Sequence, residues 1–187
     1  LFHSAIGHVS GAGALLLGAA SPRLMGLSQI DWGAGFGNGL AFALFIWAGL
    51  LLAGLVYRRT GPRHTAWPSL TAGLTGSVRL LVEAGALQWH WAFYRSAAIP
   101  AAAALGLAQA SYWGTWLAAG LILAEGLANP FFWRDLGAAG QAERRILRAV
   151  LLLATSVLYL LSRNFWLAWA CHAATALLLE PRLTSAR

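Results

Sequence analysis

Two stretches of this chain, Gly33 to Tyr57 and Ser96 to Ala124, contain no charged residue. Each exceeds the ~20 residues that carry a helix across ~30 Å of hydrocarbon. The rest of the chain agrees. It is 59% hydrophobic and 10% charged, where an ordinary soluble domain carries roughly 25% charged residues. A soluble fold of 187 residues needs more polar surface than that, whereas a surface facing lipid does not. Backbone groups in lipid must be satisfied within their own segment, and no ten-residue alternation suggests a barrel. The expected fold class is therefore all-α: a polytopic transmembrane helical bundle.

Six apolar segments set the expected spans at about 3–20, 33–57, 67–94, 96–124, 146–162 and 165–179. The first ends at Ser21-Pro22-Arg23 and the second is stopped by "RRTGPRH". The last two are separated only by "SRN", a tight helical hairpin or a single bent helix, with Asn164 as candidate cap. Low-complexity tails, linkers and convincing repeats are lacking, so one domain covers 1–187. The chain opens on Leu1, as a processed, trimmed or incompletely built chain would. No hydrophilic domain or cleavable targeting segment is expected.

The net charge of +7 comes from arginine, since the chain has no lysine. The arginines lie between apolar spans rather than along a soluble face. They therefore point to topology and lipid headgroups, not to nucleic acid. With six spans, Arg58, Arg59, Arg63, Arg134, Arg144, Arg145, Arg148, Arg182 and Arg187 share one side, and Arg23, Arg95 and Arg163 the other. The positive-inside rule makes the first side, and both termini, cytoplasmic. The expected location is a bacterial cytoplasmic membrane.

Several motifs carry no chemistry. "GAGFGNG", Gly33 to Gly39, lacks the GxGxxG spacing, a preceding strand and a phosphate-binding lysine. It reads as an irregular entry into the second span with close helix approach. Gly7 and Gly11 form a GxxxG in the first span. Cys171 is alone, which rules out an internal disulfide and a thiolate cluster. There is no HExxH and no clustered ligand set for zinc. Most of the ten tryptophans suit an interfacial belt or lipid-facing packing.

A polar group at membrane depth is costly, so each is a functional hypothesis. Arg79 and Glu83 stand four apart and can neutralise each other. Alternatively, Glu83 faces a polar cavity as an acid, base or proton carrier. Glu125 sits near the cytoplasmic end of the fourth span, as an interfacial carboxylate or within reach of Arg134 or Arg145. His90 and His172 both fall in the outer half of the bilayer, with Glu83 about 10 Å deeper than His90 at 1.5 Å per residue. The three converge if the third and sixth spans are neighbours, and each histidine alternatively ties helices together. His3, His8 and His64 are not site candidates. Ala86 and Ala168 each precede a histidine by one turn, at His90 and His172. That spacing resembles the alanine-to-histidine motif of bacterial light-harvesting polypeptides, and implies bacteriochlorophyll or haem with either histidine as axial ligand.

"HWAFYR" (His90 to Arg95), followed later by "SRNFWLAWACHAAT" (Ser162 to Thr175), resembles the CPBP family of CAAX-protease and bacteriocin-processing membrane proteins. The resemblance covers about the last hundred residues. It implies a helical-bundle fold and, in active members, glutamate-dependent intramembrane proteolysis. The family motif is a glutamate pair with an arginine four residues after the second, then a late histidine with asparagine or a small polar residue four places on. Arg95 matches the arginine and His172 the late histidine. The glutamate positions hold His90 and Trp91, or Gln88 and Trp89 with looser spacing, and Ala176 stands where asparagine would. The family's middle Phe-x-x-x-His motif has no match in the fourth or fifth span.

Three functions follow as expectations. The first is a non-catalytic accessory or scaffold subunit of a larger membrane complex, bound by lipids and other integral membrane subunits. The second is a divergent, metal-independent intramembrane protease using Glu83, His172 and Arg95. The third is a tetrapyrrole-binding subunit of a photosynthetic or respiratory complex, with His90 or His172 as ligand. A transporter would show broken helices in paired repeats, and none is visible.

Overall fold

The computed structural model describes residues 20–60, 74–134 and 141–179, and every element among them is a helix. In chain order these are α1 (Pro22–Met25), α2 (Trp32–Thr60), α3 (Leu74–Ala104), α4 (Ala110–Ala128), α5 (Pro130–Arg134), α6 (Gln141–Ser162) and α7 (Phe165–Leu179). The expected first span, apart from Ala20, lies outside the described residues, as do Gly7, Gly11, His3, His8, His64, Arg63, Arg182 and Arg187.

Helix α3 packs on α4 along one side and on α7 along the other, while α6 contacts α4 and α7 and closes a four-helix ring. Helix α2 leans on the outside of this ring against α6 and α7, and α1 caps it at α3. Gly35 and Gly39 permit the close approach of α2. A Cβ on Gly39 would meet Leu167 Cδ2 at 2.6 Å, and one on Gly35 would meet the Ser162 backbone at 3.4 Å. The close approach expected from "GAGFGNG" is present, but the irregular entry is not. Helix α2 runs unbroken from Trp32, with Gly35 and Gly39 four apart on the face that meets α6 and α7.

The largest departure from the sequence reading is the boundary between the third and fourth segments. It was expected at Arg95 and falls at 105–109, so "QWHWAFYR" lies in the middle of α3 rather than at an outer end. Arg95 does not stop the helix, because its side chain is carried into the bundle rather than out to an interface. It is buried, with its guanidinium 4.5 Å from the centroid of the Tyr159 ring. Nor does Pro100 stop it. The terminator is Gly106, left-handed at φ 70, where the Leu107 amide donates to Ala102 and the Gly106 amide to Ala103. This pairing satisfies the last carbonyls of α3. Gly114 then lets α4 return directly against α3, since a Cβ there would lie 2.5 Å from Ile99 Cα.

The α6–α7 connection is a hairpin of two helices, as one of the two sequence alternatives held. Arg163 takes φ 50, and Asn164 Oδ1 accepts the Leu167 amide at 3.1 Å, the expected cap. Helix α6 begins at Gln141, a turn earlier than its apolar segment.

Large apolar side chains cover much of the outside of the bundle, and polar ones join the apolar clusters inside it. Phe45 (74% exposed), Leu52, Val82, Leu117, Ile146 and Leu153 face outward. Gln88, Arg95, Thr155, His172 and Thr175 are buried. Two windows, Gly35–Ala53 in α2 and Arg144–Ser162 in α6, are long and apolar enough to cross a membrane, and α7 is a shorter apolar helix.

Candidate functional site

A buried stripe on α3 runs Ala84, Gln88, Trp91, Arg95, at the four- and three-residue steps that keep side chains on one face. Facing it on α6 are Arg148, Thr155 and Tyr159, which gives three polar rungs. Glu83 pairs with Arg148, Gln88 Nε2 donates to Thr155 Oγ1 at 3.1 Å, and Arg95 stacks on Tyr159. The numbers rise together on both helices, so α3 and α6 run parallel. Long side chains carry these contacts, because the two backbones are not among the closely packed pairs.

His172 enters the seam from α7. Its Nδ1 lies 3.1 Å from Gln88 Nε2. With the amide nitrogen facing both partners, Gln88 donates to Thr155 and to His172. The imidazole then accepts at Nδ1 and carries its proton on Nε2. Thr155 passes its own hydroxyl proton back to the Leu151 carbonyl at 2.7 Å. One face of the His172 ring is covered by Trp91, with ring centroids 5.1 Å apart and planes 19° apart. Gln88 Oε1 is buried without a partner among the described residues.

The structure brings some predicted residues together and separates others. Glu83 and His172 line the same small cavity with Arg144, Arg148 and Leu87, about 10 Å³ in volume. That is space on the order of a single water. Glu83 is held by Arg148 of α6, across the seam, in place of the neighbouring Arg79. Arg95 is not part of this cavity. It lies three turns further along α3, 1% exposed, with Nε and Nη2 lacking hydrogen-bond partners among the described residues.

His90 does not join Glu83 and His172. It faces α4, where its Nε2 lies 3.3 Å from Glu125 Oε2, while the Tyr94 hydroxyl donates to the same oxygen at 2.7 Å. The expected depths, His90 in the outer half and Glu125 at the cytoplasmic end, are corrected by this contact. Because α3 continues to Ala104 and α4 returns antiparallel, the two residues are level.

The space beside His172 that a tetrapyrrole would take is occupied. Ala168 is buried in a cluster with Ala43, Leu158 and Cys171, and Trp91 fills the space beside His172 that a macrocycle would need. His90 keeps an exposed edge but directs Nε2 at Glu125. Among the described residues no group of three or more His, Cys, Asp or Glu side chains could hold a metal ion.

Sequence reasoning missed Thr155 and Tyr159, and noted Gln88 and Trp91 only as occupants of the motif glutamate positions. A signal for Gln88 and Thr155 was available, since both are polar side chains inside apolar runs. Tyr159 gave none, because aromatic residues in such helices are ordinarily packing or belt. Compared with family models, curated proteins and solved structures, the chain matches none.

Proposed function

We propose that this chain is a six-span integral protein of the cytoplasmic membrane with both termini cytoplasmic. Its CPBP-like bundle serves as a non-catalytic accessory or scaffold subunit of a larger membrane complex. The observation that carries the reading is the Trp91–His172 stack. In the CPBP-like comparison, Trp91 stands where the second motif glutamate would be and His172 is the late histidine. Their contact supports a shared bundle, and the indole fills the place where a carboxylate would have to activate water. His90, at the first glutamate position, faces α4 instead. A general base needs a proton acceptor within hydrogen-bond reach of the attacking water; here one candidate carboxylate is taken up by Arg148 and the imidazole Nδ1 by Gln88.

The topology is supported by the outward apolar surface and by the arginines. Arg23 and Arg163 line a cavity at one end of the bundle, whereas Arg144 and Arg148 cluster at the other. Removing Arg95 from the loops, where it lies buried in α3, sharpens the asymmetry. Parallel α3 and α6 are what a third and fifth span require.

Purification in mild detergent tests the proposal. A stoichiometric integral membrane partner is the expected result, and a lone, monodisperse small protein would count against it. One observation favours a second reading, a residual protease: Glu83 and His172 share a cavity. Cleavage of a reconstituted peptide that is lost in both Glu83→Gln and His172→Ala would establish that reading instead.

A further inference from the structure

The opposite end of the bundle from Glu83 holds a larger polar cavity, about 570 Å³, within the range typical of small-molecule sites. It lies where α1, the start of α2, the first turn of α4 and the α6–α7 turn meet. Arg23, Arg163, Gln29 and Asp31 line it, with Ser111, Ser162 and Tyr159. Two of these are non-glycine residues held left-handed, Gln29 at φ 55 and Arg163 at φ 50. Such conformations persist where the surroundings impose them, and they cluster at ligand sites.

The charge balance behind this cavity is unusual. Tyr159, one of its walls, carries the Arg95 guanidinium 4.5 Å and the Arg163 guanidinium 5.7 Å from its ring centroid. Arg95 is fully buried, and two of its nitrogens have no hydrogen-bond partner among the described residues. A cation–π contact offsets only part of the cost of burying a guanidinium. Arg23, Arg95 and Arg163 thus bring three positive charges to this end, and Asp31 contributes one negative charge. An anion seated between Arg23 and Arg163 would lower the energy of all three cations.

We propose that this cavity binds the phosphate of a lipid headgroup. The proposal rests on the membrane reading above. Two guanidiniums suit phosphate oxygens, since planar guanidinium donors match them. The Tyr159 and Ser162 hydroxyls already donate to the Leu24 and Leu158 carbonyls, so the arginines carry the recognition. Asp31 sets the charge of the ligand. It tolerates the single negative charge of a phosphodiester and disfavours the second charge that inorganic phosphate or a monoester carries near neutral pH. Leu24 and Leu161, also lining the cavity, with Trp32 and Phe36 exposed on the adjoining turn of α2, offer acyl chains an apolar path.

The test uses the full chain in phosphatidylcholine vesicles doped with phosphatidylglycerol. The protein is re-extracted in mild detergent and retained phosphatidylglycerol is counted by mass spectrometry. Arg23→Gln and Arg163→Asn (asparagine tolerates the left-handed backbone) should each weaken retention about tenfold, the loss of one charge-assisted contact. Arg79→Gln, an exposed arginine at the other end, should retain lipid like wild type. Circular dichroism and elution volume confirm that each variant is folded. Unchanged retention in both cavity variants, or equal loss in Arg79→Gln, overturns the site. Displacement of the lipid by millimolar inorganic phosphate assigns the cavity to free phosphate and overturns the lipid source. Failure of the wild type to resist carbonate extraction from the vesicles overturns the membrane reading itself, an outcome separate from loss of the site.

Discussion

Trp91 of α3 lies face to face with His172 of α7, ring centroids 5.1 Å apart, while Gln88, one turn earlier, holds the histidine's Nδ1 at 3.1 Å. One helix face thereby fixes the position of the buried imidazole. Gln88→Leu removes the donor that His172 and Thr155 share, and should cost about 1–3 kcal/mol. Trp91→Ala opens a cavity beside the ring and should cost about 3–5 kcal/mol. Thermal unfolding in detergent, followed by tryptophan fluorescence or a thiol probe on Cys171, measures both.

The α3–α4 contact depends on one missing methyl group. Gly114→Ala would push a Cβ to within 2.5 Å of Ile99 Cα, backbone that cannot give locally. A loss of about 1–3 kcal/mol is expected from this overpacking. Gly120→Ala, on the same helix with nothing within 4 Å, should cost nothing and gain up to about 1 kcal/mol in helix propensity. Parallel melts of the two variants test the difference.

Glu83 and Arg148 are each about one-third exposed, and their pairing is screened accordingly. A double-mutant cycle with Glu83→Gln and Arg148→Gln should return a coupling of about 1 kcal/mol or less. A much larger coupling would mean that the pair is sealed from water and carries part of the fold.

Cys171 is the chain's only cysteine and is buried, so topology can be mapped cleanly. In a Cys171→Ala background, Ser28→Cys should react with a membrane-impermeant maleimide in intact cells. Ala128→Cys should react only after permeabilisation. Labelling of both from the same side would overturn the six-span topology proposed above.

Much of this architecture was legible along the chain, and the reason is that hydropathy and charge are local properties. The uncharged run at 33–57, the arginine-rich connections and the cap at Asn164 need no knowledge of neighbours, whereas the run at 96–124 is divided between α3 and α4 at 105–109. The sequence alone determined an all-helical chain with apolar outward surface, and the α6–α7 hairpin as one of two alternatives. What escaped it was set by helix rotation and by partners distant in sequence. Arg95 looked like the end of a span, because nothing local reveals that Tyr159 stacks on its guanidinium in the interior. Glu83 looked paired with Arg79 on its own helix, yet Arg148 reaches it across the seam. His90 and His172 looked alike, each with an alanine one turn before it. Only the tertiary structure separated them, turning His90 toward Glu125 and sealing His172 between Gln88 and Trp91, because a helix's facing is decided by what packs against it.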